Sequence, residues 1–194
     1  MGESSNRGSQ RNRMKRVLLL GAPEVGKTCL RSQITNAQFL QNYDPTYGVG
    51  HSCIRAKGID FEIWDVGGNE KFQPLYPMYL KNADLVLIIY SFDSSCSLDR
   101  AKELYWFVRQ HNPSLAVTFI GNKCDTVDKH KTHISAQAFA SVVGAFVTQT
   151  SAKTREGVLH LMELLQHVLQ NADNIIPYAP VEEDTSLACC CCPY

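Results

Sequence analysis

The sequence predicts one α/β domain in which helices cover both faces of a doubly wound, mostly parallel sheet. Three observations support this prediction. Short apolar runs alternate with longer amphipathic stretches along most of the 194 residues, as strands and helices do in such folds. A glycine-rich loop separates the first apolar run from the first helical stretch. The chain length suits a single domain with short tails.

The composition excludes several classes of protein. Nineteen Lys and Arg residues balance nineteen Asp and Glu residues, so there is no overall basic field of the kind that binds nucleic acid. A hydrophobic content of 44% is typical of a globular chain. The longest apolar run, residues 85–90, is too short to span a bilayer, and the polar N-terminus is no signal peptide. We therefore expect a protein of the cytosol.

The elements can be predicted in chain order. Strands are expected at residues 16–20, 61–64, 85–90, 116–120 and 145–148, and the third and fourth are apolar enough for a buried parallel sheet. A turn-like segment at 56–60 makes strand 61–64 the return strand of a hairpin. Helices are expected from Lys27 and at 98–110, 135–143 and 158–169. Residues 1–14 and 173–194 lack this patterning, so we expect a folded domain at 15–172 between a disordered N-terminal tail and a flexible C-terminal one.

Residues 21–28 match the phosphate-binding pattern G-x-x-x-x-G-K-[ST], and they stand between a strand and a helix as that motif requires. Backbone N–H groups of such a loop hold phosphate oxygens, and Gly21 and Gly26 permit the turn and the close approach. Lys27 would supply a charge to the outer phosphates, and the Thr28 hydroxyl would bind Mg²⁺. The loop residues expected to contact a nucleotide are Pro23, Glu24, Val25, Gly26, Lys27, Thr28 and Cys29.

Two more predicted strands end in polar residues that suit a nucleotide. Asp65 follows strand 61–64, a position from which a carboxylate can hold Mg²⁺. Asn122 and Asp125 follow strand 116–120. An Asp carboxylate can accept hydrogen bonds from N1–H and the exocyclic amine of guanine, whereas facing adenine it would stay unpaired at a cost of about 1–3 kcal/mol. These residues predict a site for a guanine nucleotide and Mg²⁺.

The motifs resemble those of the Ras superfamily of small GTPases over residues 15–172, which implies the small G-protein fold. All five sequence boxes of that superfamily occur in order, namely residues 21–28, 43–46, 64–68, 122–125 and 151–153. Within the superfamily the chain is most similar to Rab proteins, although it is diverged. Residues 46–49 and the C-terminal Cys-Cys-Pro-Tyr fit a Rab, whereas His51 stands where Rabs carry an apolar aromatic residue.

The resemblance implies which residues bind the nucleoside. Phe39 would cover the edge of guanine, while Asn122 and Asp125 would fix the base. Lys123 would pack along the nucleoside, and the backbone of Ala152 would read the guanine carbonyl. The residues expected to contact the nucleoside are Phe39, Asn122, Lys123, Asp125, Ser151, Ala152 and Lys153.

The resemblance also implies which residues contact the phosphates. Tyr43 would close over them, Thr46 would place its hydroxyl on Mg²⁺ and its backbone on the γ-phosphate, and Gly68 would contact the γ-phosphate. When that phosphate leaves, both segments can relax. The metal ligands are thus expected to be Thr28, Thr46 and Asp65.

Asn69 is the main departure from the family pattern, because most small GTPases carry Gln there to position the attacking water. Lys27, Thr46, Gly68 and Asn69 are the residues expected to act in hydrolysis. Asn is one methylene shorter than Gln, so its amide should lie more than about 1 Å from the usual place, an error that can cost about 10²-fold in rate. We expect slow intrinsic hydrolysis with ordinary nucleotide binding. Alternatively, an activating partner supplies its own Arg and amide, and Asn69 is neutral.

Two loop residues also depart from the family pattern. Pro23 has no N–H to donate to phosphate, and Glu24 is expected to point to solvent.

The eight cysteines fall into two groups. Cys29, Cys53, Cys96 and Cys124 are scattered singly, so we expect buried thiols and neither a disulfide framework nor a zinc site. The other four are adjacent at 189–192, and the ending resembles the sequence on which Rabs carry two prenyl groups. Residues 173–188 contain no Lys or Arg, so two lipid chains, on Cys191 and Cys192, would be needed for stable membrane anchoring. An unmodified cysteine-rich end is the alternative.

The sequence thus predicts a switch that binds GTP or GDP with Mg²⁺, hydrolyses GTP, and docks reversibly on the cytosolic face of a membrane. Its expected partners are an exchange factor, a GTPase-activating protein, effectors at the switch loops and a prenyl-binding dissociation inhibitor, with no nucleic acid. Two other functions stay open at this point. One is a GTP-bound scaffold that scarcely hydrolyses, and the other is a P-loop kinase that acts on a small molecule.

Overall fold

The computed structural model describes residues 14–35, 46, 48–56, 59–126 and 130–171. In chain order its elements are β1 (Lys15–Gly21), α1 (Lys27–Ile34), β2 (Val49–Ala56), β3 (Ile59–Val66), a 3₁₀-helix (Glu70–Leu75), α2 (Tyr76–Leu80), β4 (Leu85–Ser91), α3 (Ser95–His111), β5 (Ala116–Asn122), α4 (His130–Val142), β6 (Phe146–Gln149) and α5 (Val158–Gln170).

The six strands form one sheet in the order β2-β3-β1-β4-β5-β6. Every neighbouring pair is parallel except β2 and β3, which form an antiparallel hairpin from Val49 opposite Val66 to Ala56 opposite Ile59. From β1 the chain goes to the edge strand β2, returns along β3 beside β1, and then runs outward through β4, β5 and β6 on the other side. This order confirms the predicted doubly wound, mostly parallel sheet. In such sheets ligands bind at the carboxyl ends of the strands, beside the strand where the order reverses.

Helices cover both faces of the sheet because alternate residues of the central strands point to opposite sides. On one side Val17 and Leu19 belong to a buried cluster that includes residues of α1 and α5. On the other side Leu18 and Leu20 belong to a second cluster that includes residues of α2, α3 and α4. Two cores on one sheet hold β1 rigidly, and the phosphate-binding loop follows β1 directly.

Some boundaries differ from the predicted ones. The 3₁₀-helix and α2 were not predicted, because Pro74 and Pro77 interrupt any helical pattern and the segment is held by burial of Tyr76 and Leu80. The helix α4 begins before residue 135. Strand β3 continues through Val66, since Val66 still pairs with Val49, so Asp65 lies inside the strand and not just after it.

The expectation of buried thiols is wrong for two of the four scattered cysteines. Cys124 is buried and Cys29 is partly buried, but Cys53 and Cys96 are exposed. Cys53 lies on β2, the edge strand of the sheet, and Cys96 lies in the first turn of α3. None of the helices in the described part of the chain is long and apolar enough to cross a membrane. The predicted tails lie outside the described residues, apart from Met14.

Candidate nucleotide-binding site

A cleft of about 380 Å³ opens at the carboxyl ends of the parallel strands. Residues of three loops line it: the loop after β1, the loop after β5 and the loop after β6. Most of the residues that the sequence predicts to bind a nucleotide therefore lie in one place.

The loop after β1 needs its glycines. Gly21 and Gly26 have φ values of +152° and +89°, which side chains rarely adopt. A Cβ atom on Gly21 would meet the carbonyl oxygen of Ile89, and one on Gly26 would meet the amide nitrogen of Asn122. Glu24 has a φ of +63° and is exposed, in line with its expected orientation towards solvent. The loop can therefore pack against β4 and the end of β5 only with glycine at these two positions.

Lys27 is folded back into this loop. Its Nζ donates to the carbonyl oxygens of Gly21 and Ala22 at 3.0 Å and 2.7 Å. Burial lowers the pKa of Lys27 to about 8, although the charge of Asp65 opposes that shift. Among the described residues this buried ammonium group is held by two carbonyls, so it is poorly solvated, and an anionic phosphate beside it would favour its charged form.

Three oxygen ligands converge next to Lys27. The Thr28 hydroxyl donates to Asp65 Oδ2, and its oxygen lies 2.9 Å from that of Thr46. Asp65 is fully buried, and its Oδ1 has no hydrogen-bond partner among the described residues. Burial raises the pKa of Asp65, whereas the Thr28 hydroxyl and the charges of Lys27 and Arg31 oppose the rise. Hydroxyl and carboxylate oxygens around an unpartnered buried oxygen fit Mg²⁺.

Asn122 joins the three loops of the cleft. Its Nδ2 donates to the Val25 carbonyl at 2.8 Å, and its Oδ1 accepts from the Thr150 hydroxyl at 3.3 Å and the Ala152 N–H at 3.1 Å. The residue is 1% exposed. Asn122 thus fixes the loop after β1 against the loops after β5 and β6, and the Ala152 N–H already has a partner within the protein.

The polar groups at the outer part of the cleft are also arranged by hydrogen bonds. Asp125 is exposed, and its Oδ1 accepts from the Ser151 hydroxyl at 2.6 Å. Lys123 lines the cleft and pairs with Asp93 at 2.9 Å. Lys153 is exposed at the rim. The Asp125 carboxylate is therefore oriented by Ser151 and still accessible from the cleft.

Gly68 and Asn69 follow β3 on the phosphate side. A Cβ atom on Gly68 would lie 2.5 Å from Lys27 Nζ and 2.7 Å from the Ala22 carbonyl group, so only glycine allows this approach. Asn69 is exposed, and its Oδ1 accepts from the Lys71 N–H at 3.1 Å as the N-cap of the 3₁₀-helix. The Asn69 amide is therefore used for capping in this conformation.

Some expected site residues lie outside the described part of the chain, namely Phe39, Tyr43, Cys191 and Cys192. Two further residues lie at the site although no sequence motif indicates them. The Nε atom of Arg31 lies 3.8 Å from Asp65 Oδ2, and helical spacing from Thr28 could have indicated this side chain. Asp93 follows β4 at the same sheet edge. Partial burial acts against ionisation of Asp93, but hydrogen bonds from Ser91 and Lys123 hold its pKa below the usual range.

The fold and the cleft define a P-loop protein built to hold a nucleotide and Mg²⁺. Similarity to known proteins identifies the family within this class. The Ras family model matches residues 16–171. The chain is 31% identical to the Ras-related protein Rab5 of Nicotiana tabacum over 188 residues, which cover 90% of this chain and 94% of the relative. It is 34% identical to the Ras-related protein Rab-5A of Dictyostelium discoideum over 155 residues, 75% of this chain and 76% of the relative.

The chain belongs to the Ras family and is a Rab-like small GTPase of the membrane-trafficking kind. It binds GTP and GDP with Mg²⁺, hydrolyses GTP, and acts with exchange factors, activating proteins and effectors, as the family does generally. The small-molecule kinase and the scaffold without hydrolysis are not favoured.

Replacement of Asn122 should loosen the whole cleft. Asn122→Ala leaves the Val25 carbonyl, the Thr150 hydroxyl and the Ala152 N–H without their partner, and each unsatisfied buried group costs about 1–3 kcal/mol. We expect release of a fluorescent GDP analogue to accelerate at least about 10-fold and the urea midpoint of unfolding to fall. The exposed Asn82→Ala is the matched control. Equal release rates for Asn122→Ala and the unmodified protein would contradict the bridging role.

Proposed function

We propose that Asp125 selects guanine in this protein. Its exposed carboxylate would accept from N1–H and the exocyclic amine of the base, with Ser151 holding its orientation. Lys123 would pack along the nucleoside, with Phe39, Ala152 and Lys153 completing the base pocket. The support is the position of Asp125 at the mouth of the cleft, with one oxygen already bound by Ser151 at 2.6 Å.

We also propose that the loop 21–28 holds the phosphates and that Thr28, Thr46 and Asp65 hold Mg²⁺. The observation that carries this proposal is the convergence of three oxygen ligands and the Lys27 ammonium group beside the glycine loop. When bound, Mg²⁺ neutralises charge that develops on the phosphate oxygens. Lys27 would leave the carbonyls of its own loop and donate to the outer phosphates. Tyr43 would close over the nucleotide.

Gly68 and Asn69 would act at the γ-phosphate. The close approach of Gly68 to Lys27 supports this role, in which the Gly68 backbone N–H would donate to that phosphate. Asn69 would position the attacking water only when its amide leaves the N-cap, because the same oxygen accepts from Lys71. The short side chain and the competing cap both act against hydrolysis, so the intrinsic rate should be low while nucleotide affinity is ordinary.

The C-terminal cysteines would attach the protein to the cytosolic face of a membrane, from which it exchanges with the cytosol. The folded domain would comprise residues 15–172 and the lipid-bearing tail residues 173–194. Two chains, on Cys191 and Cys192, are proposed because the tail before them carries acidic residues and no Lys or Arg to contact anionic lipid. A prenyl-binding dissociation inhibitor would carry the soluble form.

Base selection can be tested by Asp125→Asn. The variant loses a charged acceptor for two hydrogen bonds, so GTP affinity should fall about 100-fold or more. Xanthosine triphosphate carries a C2 carbonyl in place of the amine, and the Asn amide can donate to it. We therefore expect the variant to prefer xanthosine triphosphate in competition against a fluorescent GDP analogue.

The control for this measurement is Asp99→Asn on α3, because its carboxylate is 73% exposed and the residue does not line the cleft. It should bind both nucleotides as the unmodified protein does. If Asp125→Asn lost affinity for both nucleotides to the same extent, guanine selection would have to reside elsewhere.

Replacement of Asn69 distinguishes its role as the N-cap of the 3₁₀-helix from its proposed role in positioning the attacking water. Asn69→Gln has the amide reach that the position requires, so single-turnover phosphate release should accelerate about 10- to 100-fold. Gln is not a preferred N-cap residue, so the free energy of unfolding should fall by about 1 kcal/mol. Asn69→Ala should lose the same stability without any gain in rate. Phosphate release from Asn69→Gln no faster than from the unmodified protein would disprove the positioning role.

Lipidation can be tested by mass spectrometry of the protein from its own cells. We expect two lipid-modified cysteines at 191 and 192. The doubly substituted Cys191→Ser/Cys192→Ser chain should move to the soluble fraction, because it retains no strong membrane anchor. Cys96→Ser, which changes an exposed cysteine of the folded domain, should stay on membranes. Four free thiols at 189–192 would exclude the proposed anchor.

A further inference from the structure

Three side chains with metal-binding atoms meet at the open edge of the sheet, far from the phosphate-binding loop in sequence. His51 and Cys53 lie on β2, and Glu62 lies on β3. His51 Nε2 is 3.9 Å from Cys53 Sγ and 3.7 Å from Glu62 Oε2, and one ligand atom from each residue lies within 4.8 Å of the other two. No part of the nucleotide site uses these residues.

The hairpin backbone determines this arrangement. His51 and Cys53 are two residues apart on one strand, so their side chains leave the same face. Cys53 is directly opposite Glu62, and His51 is opposite Trp64 in the antiparallel ladder. The three ligand atoms therefore come from a regular hairpin on the edge of the sheet, and no loop has to move to bring them together.

Arg16 fixes the carboxylate from the other side. Its Nε donates to Glu62 Oε2 at 3.3 Å, and its guanidinium group lies 5.1 Å from the centroid of the Trp64 ring. An ionised carboxylate has about four acceptor positions, so Glu62 can keep Arg16 and still bind a cation. Such outer hydrogen bonds to a metal ligand orient it and commonly alter metal affinity about 10- to 100-fold.

We propose that His51, Cys53 and Glu62 form a surface site for Zn²⁺. In a tetrahedral zinc site with bond lengths of about 2.0–2.3 Å, neighbouring ligand atoms are about 3.3–3.6 Å apart. The two separations from His51 Nε2, 3.9 Å and 3.7 Å, exceed that range by a few tenths of an ångström, and the ligand atoms of Cys53 and Glu62 lie within 4.8 Å of each other. Side-chain rotation can supply the remaining approach. Imidazole with thiolate is a ligand set for Zn²⁺ and not for Mg²⁺ or Ca²⁺.

One Zn²⁺ ion would bind at this site with three protein ligands and one water molecule. The Cys53 thiol loses its proton to solvent as the sulfur–zinc bond forms, His51 binds through Nε2, and water takes the fourth position. The ion would join β2 to β3 across the hairpin. Because the folded hairpin brings the three ligands together, binding should stabilise the folded protein. This proposal does not rest on the roles given to the nucleotide site.

The test uses Co²⁺ as a spectroscopic substitute for Zn²⁺ in the untagged full chain. Cys189→Ser, Cys190→Ser, Cys191→Ser and Cys192→Ser remove the competing thiols of the tail, and GDP with excess Mg²⁺ saturates the nucleotide site. We expect one equivalent of Co²⁺ to produce a near-ultraviolet thiolate charge-transfer band and the visible bands of a tetrahedral site. One equivalent of Zn²⁺ should abolish both, and Zn²⁺ should raise the melting temperature.

Single substitutions of the three proposed ligands test which side chains bind the metal ion. Cys53→Ser should remove the charge-transfer band and weaken Zn²⁺ binding about 100-fold, while His51→Gln and Glu62→Gln should each weaken it at least about 10-fold. Two matched controls should bind as the parent does. Cys96→Ser changes the other exposed cysteine among the described residues. His160→Gln changes an exposed histidine 3.9 Å from Glu163, and no cysteine of the described part of the chain lies beside it. A charge-transfer band that persists in Cys53→Ser, or no band in the parent, would overturn the proposal.

A second measurement needs no change within the hairpin. Zn²⁺ should slow maleimide alkylation of Cys53 at least about 10-fold and leave the rate at Cys96 unchanged, both read by peptide mass spectrometry. Equal rates at Cys53 with and without Zn²⁺ would also overturn the proposal.

Discussion

The buried amide of Asn122 is the constraint on which the nucleotide cleft depends. Strands β1 and β5 are not neighbours, because β4 lies between them, so no backbone ladder joins the loops that follow these two strands. The Asn122 side chain makes that connection by donating to Val25 and accepting from Thr150 and Ala152. A residue with one amide donor group and one acceptor oxygen is required, and its near-complete burial keeps water from competing for these bonds.

Burial disfavours the charged forms of two residues in the cleft. Burial shifts both Lys27 and Asp65 towards their neutral forms, because the pKa of the lysine falls and that of the aspartate rises. A polyphosphate and a divalent cation would favour the charged forms of both groups. Preforming the site therefore costs solvation free energy. A ligand that binds the folded protein stabilises it by about 4 kcal/mol at a ligand concentration a thousand times Kd.

The parts of the fold that local pattern encodes were predictable from the sequence. Strands such as β4 are continuous apolar runs, and the phosphate-binding loop carries its own glycine and lysine spacing. The 3₁₀-helix and α2 contain prolines and depend on tertiary burial, which no local pattern reports. Pairing between strands is likewise not encoded in any local sequence pattern. The register that puts Cys53 opposite Glu62 follows from the hairpin, so a group of His51, Cys53 and Glu62 could not be derived from single-chain spacing.

One hairpin connects the two segments expected to sense the γ-phosphate. Thr46 precedes β2 and Gly68 follows β3, and the Gly67 N–H donates to the Gly48 carbonyl at 2.9 Å beyond the last pair of the ladder. The hairpin itself is continuous from Val49 to Ala56, and β3 is also bound to β1. Movement that follows loss of a phosphate should therefore be confined to residues outside the ladder, because any shift within it would break paired backbone bonds on two sides of β3. The sheet thus serves as the fixed frame against which the two segments can rearrange.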